Sequence, residues 1–366
     1  MTGNTFHIFP GGNTSKGFYS FYRYIISQDE ARRIFCLKGG PGTGKSSLIK
    51  SIGSFFNKKG YDIEYHHCSS DNNSLDGAVI KGLNVAILDG TSPHVVDPVN
   101  PGAVDEILNM GECWNEESLK KSRKEVIELN KAIGKLFKRS YKYLGAAKII
   151  HDDWENLNSD ILNISKLNKL KEDLKEELFD GLELKNTGSE RHLFATAFTP
   201  NGIVTYIDTL IEEYDTFYVL NGEPGTGKTT LLSYIADESL KRGLNTEVFH
   251  NALIPEKIEH LLIPKIKTAF LTSDEINKKS FDGIQIYMDD YLMRQAKFNN
   301  KEEITYIKDI FYEHINKALA IIGNAKKTHD ELEKIYISSM DFNKVQKVTD
   351  DTINKILLYE KEYIGN

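Results

Sequence analysis

The sequence predicts an α/β protein built from one unit used twice. Each unit is expected to be a mostly parallel sheet flanked by helices and followed by a long helical hairpin. Three observations carry that expectation. The segment RIFCLKGGPGTGKSSL, starting at Arg33, returns as TFYVLNGEPGTGKTTL, starting at Thr216, a shift of 183. In both copies short apolar runs alternate with amphipathic stretches, a pattern that implies parallel strands joined by right-handed helical crossovers. The last third of each copy has apolar residues at three-, four- and seven-residue steps among many charges, the mark of long amphipathic helices.

The repeat runs well beyond one motif. The shift of 183 holds through Glu64/Glu247 and His67/His250 to VAIL at Val85 against TAFL at Thr268. Upstream, HIFPGGNTSKG at His7 matches HLFATAFTPNG at His192, a shift of 185. Downstream, AAKIIHDDWE at Ala146 matches NAKKTHDELE at Asn324, a shift of 178. Three registers in order, separated by small length changes, are what duplication followed by loop drift leaves. The polar stretch LKNTGSE (184–190) reads as the linker, which gives domains 1–186 and 187–366.

Within each unit a helix-like stretch (18–29; 203–214) leads to a buried strand, RIFCL or TFYVL. A glycine-rich turn follows, then a helix (46–58; 229–241) closed by a left-handed cap at Gly60 or Gly243. YDIEYHH and NTEVFH read as a second strand, NVAIL and TAFL as a third, and IQIYMDD as a fourth. Leu119, Val126, Leu129, Ile133, Leu136 and Leu144 define a helix over 116–157 that folds back on 160–179; 302–336 and 341–363 repeat the arrangement. Such a hairpin serves either as a layer packed on the sheet or the other half, or as a coiled-coil arm for a partner.

Composition narrows the class. Of 366 residues, 40% are apolar and 27% charged, enough for buried cores and unlike a disordered chain. No run approaches the ~20 apolar residues of a membrane span. The opening MTGNTFHIFPGG lacks the pattern of a secretion signal. Cys36, Cys68 and Cys113 are odd in number and far apart, which suits a reducing, cytoplasmic setting. The net charge of -7 argues against a protein that coats nucleic acid. Residues 1–186 are balanced, with 25 Lys+Arg against 25 Asp+Glu, so the second half carries the whole excess.

GGPGTGKS (39–46) and GEPGTGKT (222–229) both satisfy G-x-x-x-x-G-K-[ST] between a strand and a helix, the context in which the pattern means a phosphate-binding P-loop. Glycines let successive N–H groups face one anion, and the helix that follows adds unpaired N–H groups and its positive dipole end. The expected cradles are Gly39, Gly40, Pro41, Gly42, Thr43, Gly44, Lys45, Ser46 and Ser47 in the first half. Gly222, Glu223, Pro224, Gly225, Thr226, Gly227, Lys228, Thr229 and Thr230 form the second. Lys45 and Lys228 would reach the β- and γ-phosphates, while the Ser46 and Thr229 hydroxyls would ligate Mg²⁺. The metal also needs a carboxylate at a strand end. Asp89 ends NVAILD and fits, but its counterpart is Thr272. Asp289 and Asp290, ending IQIYMDD, are the replacement candidates, and Asp290 aligns with Glu112 at the shift of 178. The candidate catalytic residues are therefore Lys45, Asp89, Glu112, Lys228, Asp289 and Asp290. Two unequal sites follow, the first hydrolysing and the second binding tightly or turning over slowly.

The P-x-G-T-G-K-[ST] form of both loops (Pro41–Ser46, Pro224–Thr229) resembles P-loop ATPases of the AAA+ and helicase groups. The whole chain resembles a family of bacterial tandem P-loop proteins described as ATP-binding or nucleotide-kinase-like. The resemblance implies nucleotide binding and a duplicated fold, and it names no substrate.

Other residues invite roles near the loops. His67 and His250 end the second strand, where a γ-phosphate or substrate contact is one reading and a hydrogen-bonded structural histidine the other. His7 and His192 open a shared segment that either lies over the adenine or packs plainly. The loop DGTSPHVVDP (89–98) is the choice for acceptor specificity, and Arg191 for an arginine finger reaching the other half. Arginines number only eight, with no cluster after either loop, which counts against a small nucleotide kinase with an arginine-rich lid. No [NT]-K-x-D follows either third strand, which favours ATP over GTP. The leading expectation is a Mg²⁺-dependent ATPase in which the two halves form an intramolecular pseudo-dimer and couple turnover to a shape change. The alternatives are a small-molecule kinase using the 89–98 loop and a nucleotide-gated adaptor without turnover.

Overall fold

The computed structural model describes residues 2–91, 96–295 and 300–364. Each half contains a six-stranded sheet. In the first, β1 (Thr5–Ile8), β5 (Ile63–Cys68), β6 (Asp71–Ile80), β7 (Val85–Asp89), β4 (Arg33–Lys38) and β8 (Asp105–Asn109) lie in that spatial order. In the second, β9 (Glu190–Leu193), β13 (Thr246–His250), β14 (Ile258–Ile263), β15 (Thr268–Ser273), β12 (Thr216–Asn221) and β16 (Ile284–Tyr287) repeat the order strand for strand. Five strands of each sheet share one direction. The sixth, β6 or β14, runs against both neighbours. Neither this antiparallel strand nor β1 and β9 was expected from the apolar runs, so the sheets are mixed rather than wholly parallel. β6 begins with the polar stretch DNNS, which hides the strand from a hydrophobicity reading.

Two short ribbons stand apart from the sheets, β2 (Gly11–Thr14) with β3 (Gly17–Ser20) and β10 (Thr196–Thr199) with β11 (Gly202–Thr205). Where a helix was expected over 18–29 there is β3 and a 3-10 turn at Tyr22–Tyr24; over 203–214 there are β11 and a single helical turn, α5 (Ile207–Ile211). The β-branched and aromatic residues of GIVTY favour extended backbone over helix. After each glycine turn the helix forms where expected, α1 (Lys45–Lys58) and α6 (Lys228–Leu240). Gly60 and Gly243 follow these helices at φ +100 and +68, positions open to glycine at little cost.

A pair of equivalent residues marks the relation between the halves. Phe9 and Phe194 exchange backbone hydrogen bonds, each N–H donating to the other's carbonyl at 3.0 Å. A position paired with its own repeat copy is what a two-fold arrangement produces. Phe6, Phe21, Leu193, Phe249 and Leu271 pack around this point.

The helices of each last third depart from the simple hairpin. They are α2 (Glu116–Lys121), α3 (Arg123–Ser159) and α4 (Ile164–Phe179), then α7 (Lys301–Ile337) and α8 (Phe342–Ile364). α3 and α7, 37 residues each, run antiparallel along one another through Leu144, Ala147, Trp154, Phe311, Ile315 and Ala318. The arms of each expected hairpin have different partners. α4 inserts Leu167, Leu174 and Phe179 into the core of the second sheet, among Leu220, Leu231 and Phe270. α8 inserts Val345 and Ile356 into the core of the first, among Leu37, Ile49 and Ile87. Reciprocal backbone bonds fix the crossing: Asn115 N–H to Ser339 O (2.8 Å) and Asp341 N–H to Cys113 O (2.7 Å). Their repeat copies are Met293 N–H to Ile161 O (2.9 Å) and Asn163 N–H to Tyr291 O (2.8 Å). Of the six residues that defined the first long helix Leu144 is buried and the other five are half-buried, and the pattern did not tell which sheet each arm would cover. All three cysteines are buried and none is in a disulfide. Among the described residues no helix is long and apolar enough to cross a membrane.

Two outcomes follow from this packing. Ile356, fully buried in the core of the opposite half, should cost about 2–5 kcal/mol on change to Ala, and first-half probes should report the loss in urea unfolding. Two histidine pairs flank the Phe9–Phe194 contact, His7 with His67 at 2.8 Å and His192 with His250 at 2.9 Å. Burial pushes His67 down to about 4; burial and the nearby His192 do the same to His250. The folded state thus prefers the neutral rings. Their stabilisation is complete above pH 6.5 and is lost as pH falls towards about 4. The urea midpoint should drop across that window, and His67→Gln with His250→Gln should flatten the slope.

Candidate functional site

Each glycine loop joins the strand next to one edge of its sheet, β4 or β12, to the helix that follows it. From β4 the chain passes through Gly39–Gly44 into Lys45, the first residue of α1; from β12 it passes through Gly222–Gly227 into Lys228, the first residue of α6. Four glycines take left-handed backbone, Gly42 (φ +67), Gly44 (φ +86), Gly225 (φ +80) and Gly227 (φ +90). No side-chain cap satisfies either helix start. The first amides of each helix and its positive dipole end therefore face the loop.

Both lysines turn back into their own loops. Lys45 Nζ donates to Gly39 O (3.1 Å) and Gly40 O (2.6 Å), and lies 3.5 Å from Asp89 Oδ2. Lys228 Nζ donates to Gly222 O and to Glu223 O (2.8 Å). Thr43 Oγ1 donates to Gly40 O (2.8 Å) and Thr226 Oγ1 to Glu223 O (2.7 Å), which tightens each curl in the same way. Ser46 Oγ accepts from Leu75 N–H at 2.9 Å. The strand β7 lies directly beside β4, with Asp89 opposite Leu37, and this register brings the Asp89 carboxylate to the lysine.

The other predicted carboxylates are placed less evenly. Asp289 Oδ1 accepts from the Glu223 N–H at 3.3 Å, at the entrance of the second loop. Asp290 is exposed; its backbone carbonyl takes a bond from Lys166 Nζ. Glu112 is exposed, and its carbonyl faces Lys344 Nζ. The carboxylates beside Lys228 are instead Asp274 and Glu275, which follow β15 in TAFLTSDE, two and three residues past the Thr272 that aligns with Asp89. Aligning residue for residue missed them; an acidic pair just after the third strand was the available signal. Burial and the neighbouring Glu275 push Asp274 up to about 7. Burial acts upward on Glu275 too, but the bond and charge of His151 and the charge of Lys228 outweigh it and hold the group down.

His151 comes from the opposite half, as do other residues at the second loop. Asn158 Nδ2 donates to Pro224 O (2.7 Å), Trp154 Nε1 donates to Glu223 Oε2 (3.1 Å), and Gly225 abuts Glu155. At the first loop, Gly40 lies against Tyr336, Gly42 against Glu333 and Gly44 against Val345, all from the second half. A cavity of about 150 Å³ lies over the second loop, lined by Pro224–Thr230, Asp274 and Glu275 and by His151, Glu155 and Ser159 of the crossing helix. That is smaller than the ~300–1,000 Å³ of sites that hold whole small molecules.

Several expected contacts with nucleotide have other employment. His67 and His250 are spent in their histidine pairs, and Tyr206 and Phe21 of the opposite halves stack near them. Arg191 is a clasp between halves. Its guanidinium donates to Glu64 (2.8 Å), Tyr24 O (2.8 Å) and Ile25 O (2.8 Å), which leaves nothing to point at a phosphate. In the loop 89–98, Asp89 Oδ1 accepts from Thr91 N–H, and Lys38 Nζ binds Gly90 O and Val96 O; residues 92–95, including His94, lie outside the described residues.

A side chain at Gly225 would place its Cβ 2.2 Å from the Glu155 carbonyl, on backbone that already disfavours it. Gly225→Ala should therefore lower stability by about 2 kcal/mol or more in urea unfolding, through left-handed strain of about 1 kcal/mol and a displaced α3. An unchanged midpoint would show that α3 does not hold this contact.

Comparison of the chain with protein-family models, with curated proteins and with solved structures finds no match in any of the three.

Proposed function

We propose that the chain binds nucleoside triphosphate at both glycine loops, with ATP preferred, and hydrolyses it with Mg²⁺. The observation that carries this reading is the twice-built loop. It has left-handed glycines, an uncapped helix start and a lysine folded back onto the loop carbonyls. A triphosphate tail would offer Lys45 and Lys228 charged acceptors in place of these loop carbonyls, and the helix amides would hold the phosphate oxygens. Ser46 and Asp89 at the first loop, and Thr229 at the second, are oxygen donors of the kind Mg²⁺ takes; the ion, bound with the nucleotide, supplies charge neutralisation of the phosphates. Asp89 on one side and Glu275 on the other give each site a carboxylate near its lysine. The ground for expecting a weaker second site is accordingly reduced.

Because helices of the opposite half lie on each loop, and the cavity over the second is small, filling either site requires those helices to shift. That is the route by which occupancy would couple to shape.

Calorimetry with magnesium-ATP and magnesium-GTP is the test. The folded chain should take up ATP at two sites. Lys45→Ala and Lys228→Ala should each weaken one of them by about 10–100-fold, the value of a charge-assisted contact. No uptake by folded wild-type protein would overturn the reading. Phosphate release with ATP alone would separate hydrolysis from a kinase that waits for an acceptor.

A further inference from the structure

The sequence K-x-x-H-D-x-x-E occurs once on each long helix, as Lys148–Glu155 in α3 and Lys326–Glu333 in α7, at the repeat shift of 178. Each copy lies against the glycine loop of the other half. At the second loop the histidine meets a carboxylate: His151 Nε2 is 2.8 Å from Glu275 Oε1. His151 is 4% exposed and the Glu275 side chain 6%, and both line the cavity that Lys228 also lines. Among the described residues His151 Nδ1 and Glu275 Oε2 have no hydrogen-bond partner. Two buried polar atoms without partners, on residues that line a cavity, are costly to leave unsatisfied.

We propose that His151 and Glu275 form a proton-accepting dyad, supplied jointly by the two halves, that activates the attacking water at the second loop. The proposal rests on the nucleotide reading above. A carboxylate on Nε2 fixes the tautomer with the proton there and leaves Nδ1 as the acceptor. Attack forms one bond from the water oxygen to the terminal phosphorus as the bond to the bridging oxygen breaks, its electron pair leaving on the nucleoside diphosphate. The water proton passes to His151 Nδ1, Glu275 stabilises the imidazolium, and the proton then leaves to solvent with the phosphate. Lys228 offsets the charge on the phosphates throughout. The assignment is made for the second loop alone, since the first-half counterpart of Glu275 at the shift of 183 is Ser92, outside the described residues.

The experiment uses the full chain carrying Lys45→Ala, so that turnover belongs to the second loop. In that background His151→Ala should lower phosphate release by about 100-fold or more, as loss of a general base does. ATP uptake by calorimetry should change by less than about 3-fold, and added imidazole should restore part of the rate. Glu275→Gln, which keeps the shape of the side chain, should show a similar loss and guard against a folding failure in the alanine variant. Turnover within about 2-fold of the background for both variants would overturn the dyad. So would loss of turnover that imidazole does not rescue, or ATP uptake without phosphate release in the Lys45→Ala chain. Absence of ATP uptake in wild-type protein would instead overturn the nucleotide reading beneath it.

Discussion

A glycine in left-handed backbone with a helix laid across it leaves no space for a Cβ, and this constraint governs both loops. At Gly42 the nearest obstacle is the Glu333 carbonyl, 2.8 Å from where a Cβ would stand; at Gly225 it is the Glu155 carbonyl. These carbonyls belong to α7 and α3, so each glycine loop is closely covered by a helix of the opposite half. The long helices are in turn held by their mutual packing and by Trp154, which is buried in that seam and reaches Glu223 through its indole N–H. Loop, seam and crossing arm form one mechanical unit.

The electrostatics of that unit are local. Lys45 has Asp89 beside it; Lys228 has Asp274, which burial and Glu275 push up, and Glu275, which His151 and Lys228 hold down. Two adjacent buried carboxyls resist double ionisation, and the partner with the histidine bond keeps the charge. The first loop has no such pair in its strand, since Asp89 stands alone at the end of β7 with Gly90 and Thr91 after it. The halves therefore share a backbone plan and differ in how their acids are arranged.

What the sequence disclosed was what is encoded locally. The strand–glycine–helix units, their caps at Gly60 and Gly243 and the length of α7 follow from short-range pattern, whereas the helix expected over 116–157 is divided at Ser122 into α2 and α3. The antiparallel β6 was invisible because its first residues are polar, and Asp274 and Glu275 because duplicated chains need not keep a function at the same aligned position. The exchange of arms lay further out of reach. An amphipathic face at Val345 or Leu167 states that something apolar covers it, and both sheets, being copies, offer nearly the same surface. Only chain geometry decides which.

The crossing of α4 and α8 has a bearing on ancestry. The backbone bonds that accompany it are reciprocal, from the Phe9–Phe194 pair to the matched bonds at 113–115 and 291–293. Two separate copies of a single half could make all of them across a symmetry axis, each lending its last helix to the other. The present polypeptide then reads as a dimer stitched end to end by LKNTGSE. Once stitched, the two grooves were released from identity, and residues such as Glu223 in place of Gly40 were free to diverge.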